Sequence, residues 1–176
     1  MSVTDFLGAI QSPPLRDIAS HWNDARGAKR MPGWKNINPA AIARYLDIVW
    51  SWKYDREQDS FIGRLAGETI IDALGENLHG KRLQDFFVGK RFDGIFLRNR
   101  RIVTEPALVR ETGHVFLLAN RYGLGERIIM PLAADGTHGD GILGATIYSI
   151  DPGAPPPKAT ADRYQEATQT DFFALE

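Results

Sequence analysis

The order of strand patterns and helix patterns is the feature that most constrains the fold of this chain. Residues 47–55 (DIVWSWKYD) alternate with period two, and residues 60–67 (SFIGRLAG) follow as a second strand. Two short helices, broken by Gly75 and Gly80, and a longer helix over residues 91–105 come next. Three further strands are predicted at residues 107–121, 126–134 and 141–151. The order predicts an α+β fold with a five-stranded antiparallel sheet, one face of which is covered by helices.

The first 30 residues predict an amphipathic helix that covers the other face of the sheet. Ser12 is predicted to cap this helix, which ends near Gly27. Because the outer face of the sheet needs a cover, we expect the helix to pack there, within the chain or at a dimer interface. The residues assigned to this interface are Leu15, Ile18, Trp22 and Arg26. Arg26 is expected to pair with Asp47 or Asp151.

Three parts are predicted along the chain. Residues 1–30 form the N-terminal helical extension, and residues 31–151 form the domain with the sheet. Residues 152–176 form a proline-rich linker (PGAPPPKAT) followed by a tail (DFFALE) that could dock on the domain. Within the domain, residues 121–128 (RYGLGERI) are predicted to be a hairpin turn, because they lack the features of a phosphate-binding loop.

Composition excludes several kinds of chemistry. The 176 residues contain no cysteine, so disulfides, thiolate catalysis and cysteine metal sites are excluded. The sequence shows neither the pattern of a signal peptide nor an apolar run long enough for a membrane helix. A cytoplasmic protein is therefore expected. Residues 81–101 hold seven cations and two anions, a balance of +5, but the net charge of the chain is −1. We therefore interpret the face with Arg91, Arg98 and Arg101 as solvated or as a docking surface for an acidic partner, rather than for nucleic acid.

Three segments carry a resemblance to a known family. They are HWNDARGAKRMPGW (21–34), FIGRLAGETIIDALGENLHGK (61–81) and IMPLAADG (129–136). In the second segment, Arg64, Gly67, Gly75 and Gly80 stand where the pattern of the family has them. Over residues 15–150 the chain resembles the PAS-like domain family of alphaproteobacterial type.

The resemblance implies a sensory or protein-interaction module, often a homodimer, with an internal pocket for a small molecule. It implies no catalytic residues, so the chain is not expected to be an enzyme. PAS domains are usually joined to a kinase, a cyclase or a DNA-binding domain, and this chain has no room for one. We therefore expect it to act in signal transduction through a separate signalling protein.

The family also guides the choice of cofactor. PAS domains that form a flavin–thiol adduct or carry a thioester-linked chromophore need a cysteine, and the chain has none. Haem-binding PAS domains take an axial histidine from the long helix, and residues 91–105 contain none. Any cofactor of the pocket is therefore unknown.

Candidate ligand-binding residues lie where the pocket of such a fold would be. They are Arg64, Trp52, Tyr54, Phe92, Phe96, Asn99, Thr146 and Tyr148. Arg64 lies among apolar strand neighbours, so we expect it to be buried with an anionic partner. An ion pair with Asp47, Asp72 or Glu105 is the favoured interpretation, and a clamp for a ligand carboxylate or phosphate is the other. The aromatic residues form either a core stripe or a stacking surface for a planar ligand, and Asn99 binds a strand backbone group or the ligand.

Two alternatives belong to other classes. The first is an enzyme on a cone-shaped fold of the ketosteroid-isomerase type, with Asp72 or Tyr148 as a catalytic group. Two strands precede the longest helix here, and this order disfavours that fold. The second is a protein-interaction module without a ligand, whose pocket is filled by its own side chains. The sequence alone does not separate this second alternative from the ligand sensor.

Overall fold

The computed structural model describes residues 2–118, 121–151, 153 and 169–175. The α-helices are α1 (Val3–Ala9), α2 (Pro13–Arg26), α3 (Glu68–Leu74) and α4 (Gly89–Thr104). The strands are β1 (Val49–Asp55), β2 (Ser60–Ala66), β3 (Ala107–Leu118), β4 (Arg121–Leu132), β5 (Gly141–Ile150) and β6 (Gln169–Ala174). Short 3₁₀ helices lie at Trp34–Asn36, Pro39–Ile48 and Leu83–Asp85. The linker predicted after residue 151 falls, apart from residue 153 and the tail, outside the described residues.

The strands form one antiparallel sheet in the order β2-β1-β5-β4-β3-β6. The predicted α+β architecture with an antiparallel sheet is confirmed. The predicted number of five strands is wrong, because the described part of the chain forms six. The sixth strand, β6, comes from the tail and pairs with the edge of β3. Its six residues are too few, and too interrupted by polar side chains, to produce a readable alternation.

Both faces of the sheet are covered. On the inner face, α3 and α4 pack over residues such as Trp50, Val109 and Ile129, which we call the inner core. On the outer face, α1 and α2 pack over residues such as Leu108 and Ile128, which we call the outer core. Consecutive strand residues therefore enter different cores. The central strands are apolar on both faces for this reason.

The segment between β2 and α4 contains one short α-helix rather than two. Gly75 ends α3 in the left-handed conformation, with φ of 83°, and its N–H donates to the carbonyl of Ile71 at 2.8 Å. The second predicted helix is only the 3₁₀ turn Leu83–Asp85. The predicted break at Gly75 is therefore present, but the second predicted helix is reduced to this turn.

The predicted hairpin turn at residues 121–128 is wrong, because these residues lie in β4. Their glycines allow a neighbouring strand to approach. A Cβ atom on Gly125 would lie 1.9 Å from the carbonyl oxygen of Ile147 in β5. Pro131 lies in the same strand, beyond the end of the β3–β4 pairing at Ile129, so its missing N–H breaks no bond of that ladder.

The N-terminal helices are bound to the outer face by polar contacts as well as by apolar packing. The Glu126 carboxylate of β4 accepts the backbone N–H groups of Gln11 and Ser12 at 3.0 and 2.8 Å. Arg110 donates to the same carboxylate at 2.6 Å. Ser12 is the N-cap residue of α2 as predicted, but its side chain makes no capping hydrogen bond. Across the described ranges, no helix is long and apolar enough to cross a bilayer.

Candidate functional site

A small cavity lies between the inner face of the sheet and the helices. Its volume is about 30 Å³, which is room for one or two water molecules. Its walls are formed by Trp50, Trp52, Ile70, Leu74, Leu78, Leu83, Phe87, Ile95, Arg98, Asn99, Phe116 and Arg127. The wall is mostly apolar. Two guanidinium groups and one amide interrupt it.

The two arginines share one buried carboxylate. Glu111 is 2% exposed, and its oxygens accept from Arg98 Nη1 at 2.8 and 3.0 Å and from Arg127 Nη1 at 3.1 Å. Glu111 lies directly opposite Arg127 in the β3–β4 register, so strand pairing itself creates half of this cluster. Arg98 reaches the carboxylate from α4. We call Arg98, Glu111 and Arg127 the buried charge cluster.

Neutral groups complete the hydrogen bonding of the cluster. Arg127 Nε donates to Thr146 Oγ1 at 3.2 Å, and its Nη2 donates to the carbonyl of Val115. The indole N–H of Trp50 donates to the same Thr146 hydroxyl at 2.9 Å. Arg98 donates from Nε and Nη2 to Asn99 Oδ1, both at 3.2 Å. The polar groups around the cavity therefore have partners inside the protein, as burial requires.

The ionisation of Glu111 follows from these contacts. Burial alone would raise the pKa of its carboxyl group, but the Coulombic attraction and hydrogen bonds of Arg98 and Arg127 outweigh burial. The pKa of Glu111 is therefore held below its ordinary value. Such a carboxylate stays charged near neutral pH and is a weak base.

Seven of the eight predicted ligand-binding residues lie on the side of the inner core, but only Trp52 and Asn99 line the cavity. Five lie beside it: Tyr54, Phe92, Phe96, Thr146 and Tyr148. Their contacts are with protein groups. The Tyr54 hydroxyl donates to Asp59, the Phe92 and Phe96 rings stack at 5.5 Å, and the Tyr148 ring lies 5.1 Å from Phe116.

Arg64 does not lie in the pocket, where it was predicted to be buried with an anionic partner. In the β1–β2 register, Ser51 faces Leu65 and Trp52 faces Gly63, so Arg64 is the unmatched residue of a bulge. Its side chain is partly exposed on the side of the outer core. The guanidinium carbon lies 4.6 Å from the ring centroid of Trp34, a cation–π contact. Among the described residues it forms neither a wall of the cavity nor the predicted ion pair with Asp47, Asp72 or Glu105.

Substitution Arg64→Ala is accordingly expected to have a small effect. Loss of one partly exposed cation–π contact should lower the free energy of unfolding by about 0.5–1 kcal/mol. Urea denaturation measures this value, and Arg64→Lys is the control that keeps the charge. A loss above about 3 kcal/mol would instead indicate a buried ion pair of the kind that the sequence suggested.

The residues predicted for an interface are buried within one chain. Leu15, Ile18 and Trp22 have no exposed surface and belong to the outer core. The Trp22 indole N–H donates to the carbonyl of Pro131 at 2.9 Å. In this arrangement their side chains are not accessible to a second copy. Arg26 does not pair with Asp47 or Asp151, and it donates to Asn23 Oδ1 at 3.0 Å and to the Lys29 carbonyl at 3.1 Å.

The buried charge cluster was missed by the sequence reasoning. The prediction that Arg98 lies on a solvated face with Arg91 and Arg101 is wrong, since the Arg98 side chain is only 12% exposed. A signal was available, because Arg98 lies one helical turn from the apolar Ile95. A second signal was the position of Glu111 and Arg127, each inside an apolar strand.

A family model described as PAS domain matches residues 10–147, which is most of the chain. The chain therefore belongs to the PAS domain family. No curated protein and no solved structure matches it significantly. Membership indicates a sensory or regulatory module in general. The narrower alphaproteobacterial type remains a prediction.

Proposed function

We propose that this chain is a regulatory PAS module that acts through protein contacts and whose internal site is filled by its own side chains. The observation that carries the proposal is the cavity volume of about 30 Å³. Pockets that hold organic ligands are about 300–1,000 Å³, at least ten times larger. The homodimeric state, the separate signalling partner and the cytoplasmic location are parts of this proposal that come from the sequence.

The contacts around the cavity support a filled site. Glu111 neutralises part of the charge of Arg98 and Arg127, and Thr146 and Asn99 accept further bonds from them. A ligand that entered would have to displace these internal partners or move α3 and the turn after it. Either process costs free energy, because buried charged groups lose partners.

We assign no catalytic role to the chain. Asp72 is exposed, and neither Asp72 nor Tyr148 lines the cavity. Burial, and secondly the charge of Asp72, raise the pKa of Tyr148. Glu111 is held ionised by two guanidinium groups. An isomerase of the cone-fold type needs a carboxyl or phenol group inside its pocket, so these positions argue against it.

A second candidate function is sensing of a small inorganic anion. The observation that favours it is the pair of guanidinium groups, with the Asn99 side chain, in the wall of a cavity. Guanidinium groups bind anions through charge-assisted hydrogen bonds, and an ion of one to three heavy atoms is close to the size of the space.

Native mass spectrometry of the gently purified protein, followed by the denatured sample, tests both candidates. We expect the native species to have the mass of the polypeptide or of its simple multiple, because the inner core is filled. An additional mass that disappears on denaturation would contradict the filled site. A mass of a small anion, lost in the variant Asn99→Leu, would establish the second candidate. The same spectrum gives the number of chains in the native species.

A further inference from the structure

The strand β6 extends the sheet beyond the part of the chain that matches the family. It pairs with β3 over six positions, from Ala107 opposite Ala174 to Thr112 opposite Gln169. The family match ends at residue 147, so β6 lies outside it and covers what would otherwise be the edge of β3. Eighteen residues, 151–168, separate it from the end of β5. The segment is thus attached to the domain by its contacts with β3 and by a long connection.

The side chains of β6 fit sites on both faces of the sheet. Phe173 is 5% exposed, and its ring centroid lies 5.4 Å from that of Phe6 in the outer core. Phe172 faces the other side, where the guanidinium carbon of Arg101 lies 4.1 Å from its ring centroid. Leu175, just after the strand, is 4% exposed. Three anchors within four residues give the segment a specific register.

Arginines contact β6 along its length. Asp171 lies opposite Arg110 in the register, and its Oδ2 is 3.5 Å from Arg110 Nη1. Arg30 donates from Nε to the Leu175 carbonyl at 2.9 Å and from Nη2 to the same oxygen. The Leu175 N–H donates to the carbonyl of Pro106 at 2.9 Å. The edge of β3 therefore offers backbone pairing, an aromatic contact and a cationic rim.

We propose that this edge is an acceptor groove for extended peptides, which the chain's own C-terminal strand occupies. We define the acceptor groove as the edge of β3 with Phe6, Arg30, Arg101 and Arg110. The partner it fits is an extended segment with an acidic residue, two consecutive aromatic residues and an aliphatic residue two positions later. Main-chain pairing supplies affinity in this mode of recognition, and the alternate side-chain sites supply specificity. The proposal rests on the proposed function, since it names the kind of partner through which the module acts.

The connection of residues 151–168 keeps β6 close to the acceptor groove, so a partner segment has to compete with this tethered strand. Eighteen residues can span at most about 60 Å, so the strand can leave the groove while the rest of the domain stays folded. A tethered segment competes at an effective concentration of millimolar order. A free segment of equal intrinsic affinity is therefore largely excluded until the tethered strand is weakened. The domain binds its partner only when the partner fits better than β6 does.

A binding experiment on the 176-residue chain tests this proposal. The probe is a fluorescently labelled peptide with the sequence of residues 168–176 (TQTDFFALE), followed by fluorescence anisotropy. Phe173→Ala, which weakens the tethered strand and leaves the groove intact, is expected to bind the peptide at least ten times more tightly than the wild type. Asp171→Lys, which places a cation beside Arg110, is a second weakening variant in case Phe173→Ala does not fold. The peptide TQTDAAALE is the control and is expected not to bind.

A disulfide can lock the weakened strand when the two cysteines are added to the Phe173→Ala variant, which in its reduced form binds the peptide. Thr112→Cys with Gln169→Cys joins a directly opposed antiparallel pair, whose Cα separation of about 4.5–5.5 Å suits a disulfide. The chain has no other cysteine, so the bond forms at one place. The oxidised protein is expected to lose peptide binding, and reduction is expected to restore it.

Two outcomes would contradict the proposal that the edge of β3 is an acceptor groove. One is equal binding of the peptide by the oxidised and reduced forms. The other is absence of binding to a folded Phe173→Ala or Asp171→Lys variant. Neither outcome bears on the mass of the native species, so the filled internal site is judged separately.

Discussion

Substitution Glu111→Gln is expected to lower the free energy of unfolding by about 3–5 kcal/mol, the usual cost of removing one partner of a buried ion pair. Glu111 accepts hydrogen bonds from both Arg98 and Arg127, and glutamine keeps the volume but removes the charge. Two buried guanidinium groups then lose their shared anion. Urea denaturation measures the loss, and the melting temperature should fall by about 10 °C.

The matched control is Glu105→Gln. Glu105 pairs with Arg101 at 3.7 Å on the surface, where its side chain is 76% exposed. Exposed pairs contribute little, so this variant should stay within about 0.5 kcal/mol of the wild type. Equal losses in the two variants would show that the cluster does not stabilise the inner core.

The loss of stability in Glu111→Gln is expected to depend on pH, and the pKa of Glu111 gives the direction of this dependence. Because the pKa of Glu111 is lower in the folded chain than its ordinary value of 4.5, the ionised carboxylate stabilises the fold above that pH. This contribution is lost as the pH falls below about 4.5 towards the folded pKa. The stability difference between wild type and Glu111→Gln should therefore shrink in acid, and a difference independent of pH would contradict the ionised cluster.

Substitution Trp22→Ala is expected to lower the free energy of unfolding by a similar amount, about 3–5 kcal/mol. The Trp22 side chain has no exposed surface, and its indole N–H donates to the Pro131 carbonyl. Removal leaves a cavity in the outer core and takes the indole donor away from the Pro131 carbonyl. Trp22→Phe, which retains most of the apolar volume, should lose less than half as much.

Urea denaturation also tells whether α1 and α2 belong to the folding unit of the sheet. If they do, the midpoint of the single transition falls in Trp22→Ala. If they form a detachable extension, the main transition stays where it is in the wild type. Leu97→Ala, at a position that is 62% exposed on α4, is the control and should change the stability by less than about 0.5 kcal/mol.

The strands and the long helix were predictable because their signal is local. Trp50, Trp52 and Tyr54 alternate with period two and enter the same core. Ile95 and Asn99 recur at helical spacing and face the sheet together. Neither pattern needs knowledge of the rest of the chain, since each follows from the repeat of its own backbone.

Arg64 shows where local reasoning fails. Alternation along β2 does not reveal that one residue of the strand is unmatched, because the bulge exists only in the pairing of β2 with β1. The strand β6 was missed for a related reason. Its residues form a strand because β3 offers an edge and Phe6, Arg101 and Arg110 offer contacts, and these partners lie far away along the chain.

By itself, then, the sequence determined the order of the first five strands and the long helix, the exclusion of thiol chemistry and the aromatic character of the inner core. Only the tertiary structure decided that Arg98, Glu111 and Arg127 meet and that the space beside them is about 30 Å³. The physical reason is that backbone periodicity is local, whereas an ion pair depends on strand register. The volume of a cavity is what remains after side chains from every element have packed.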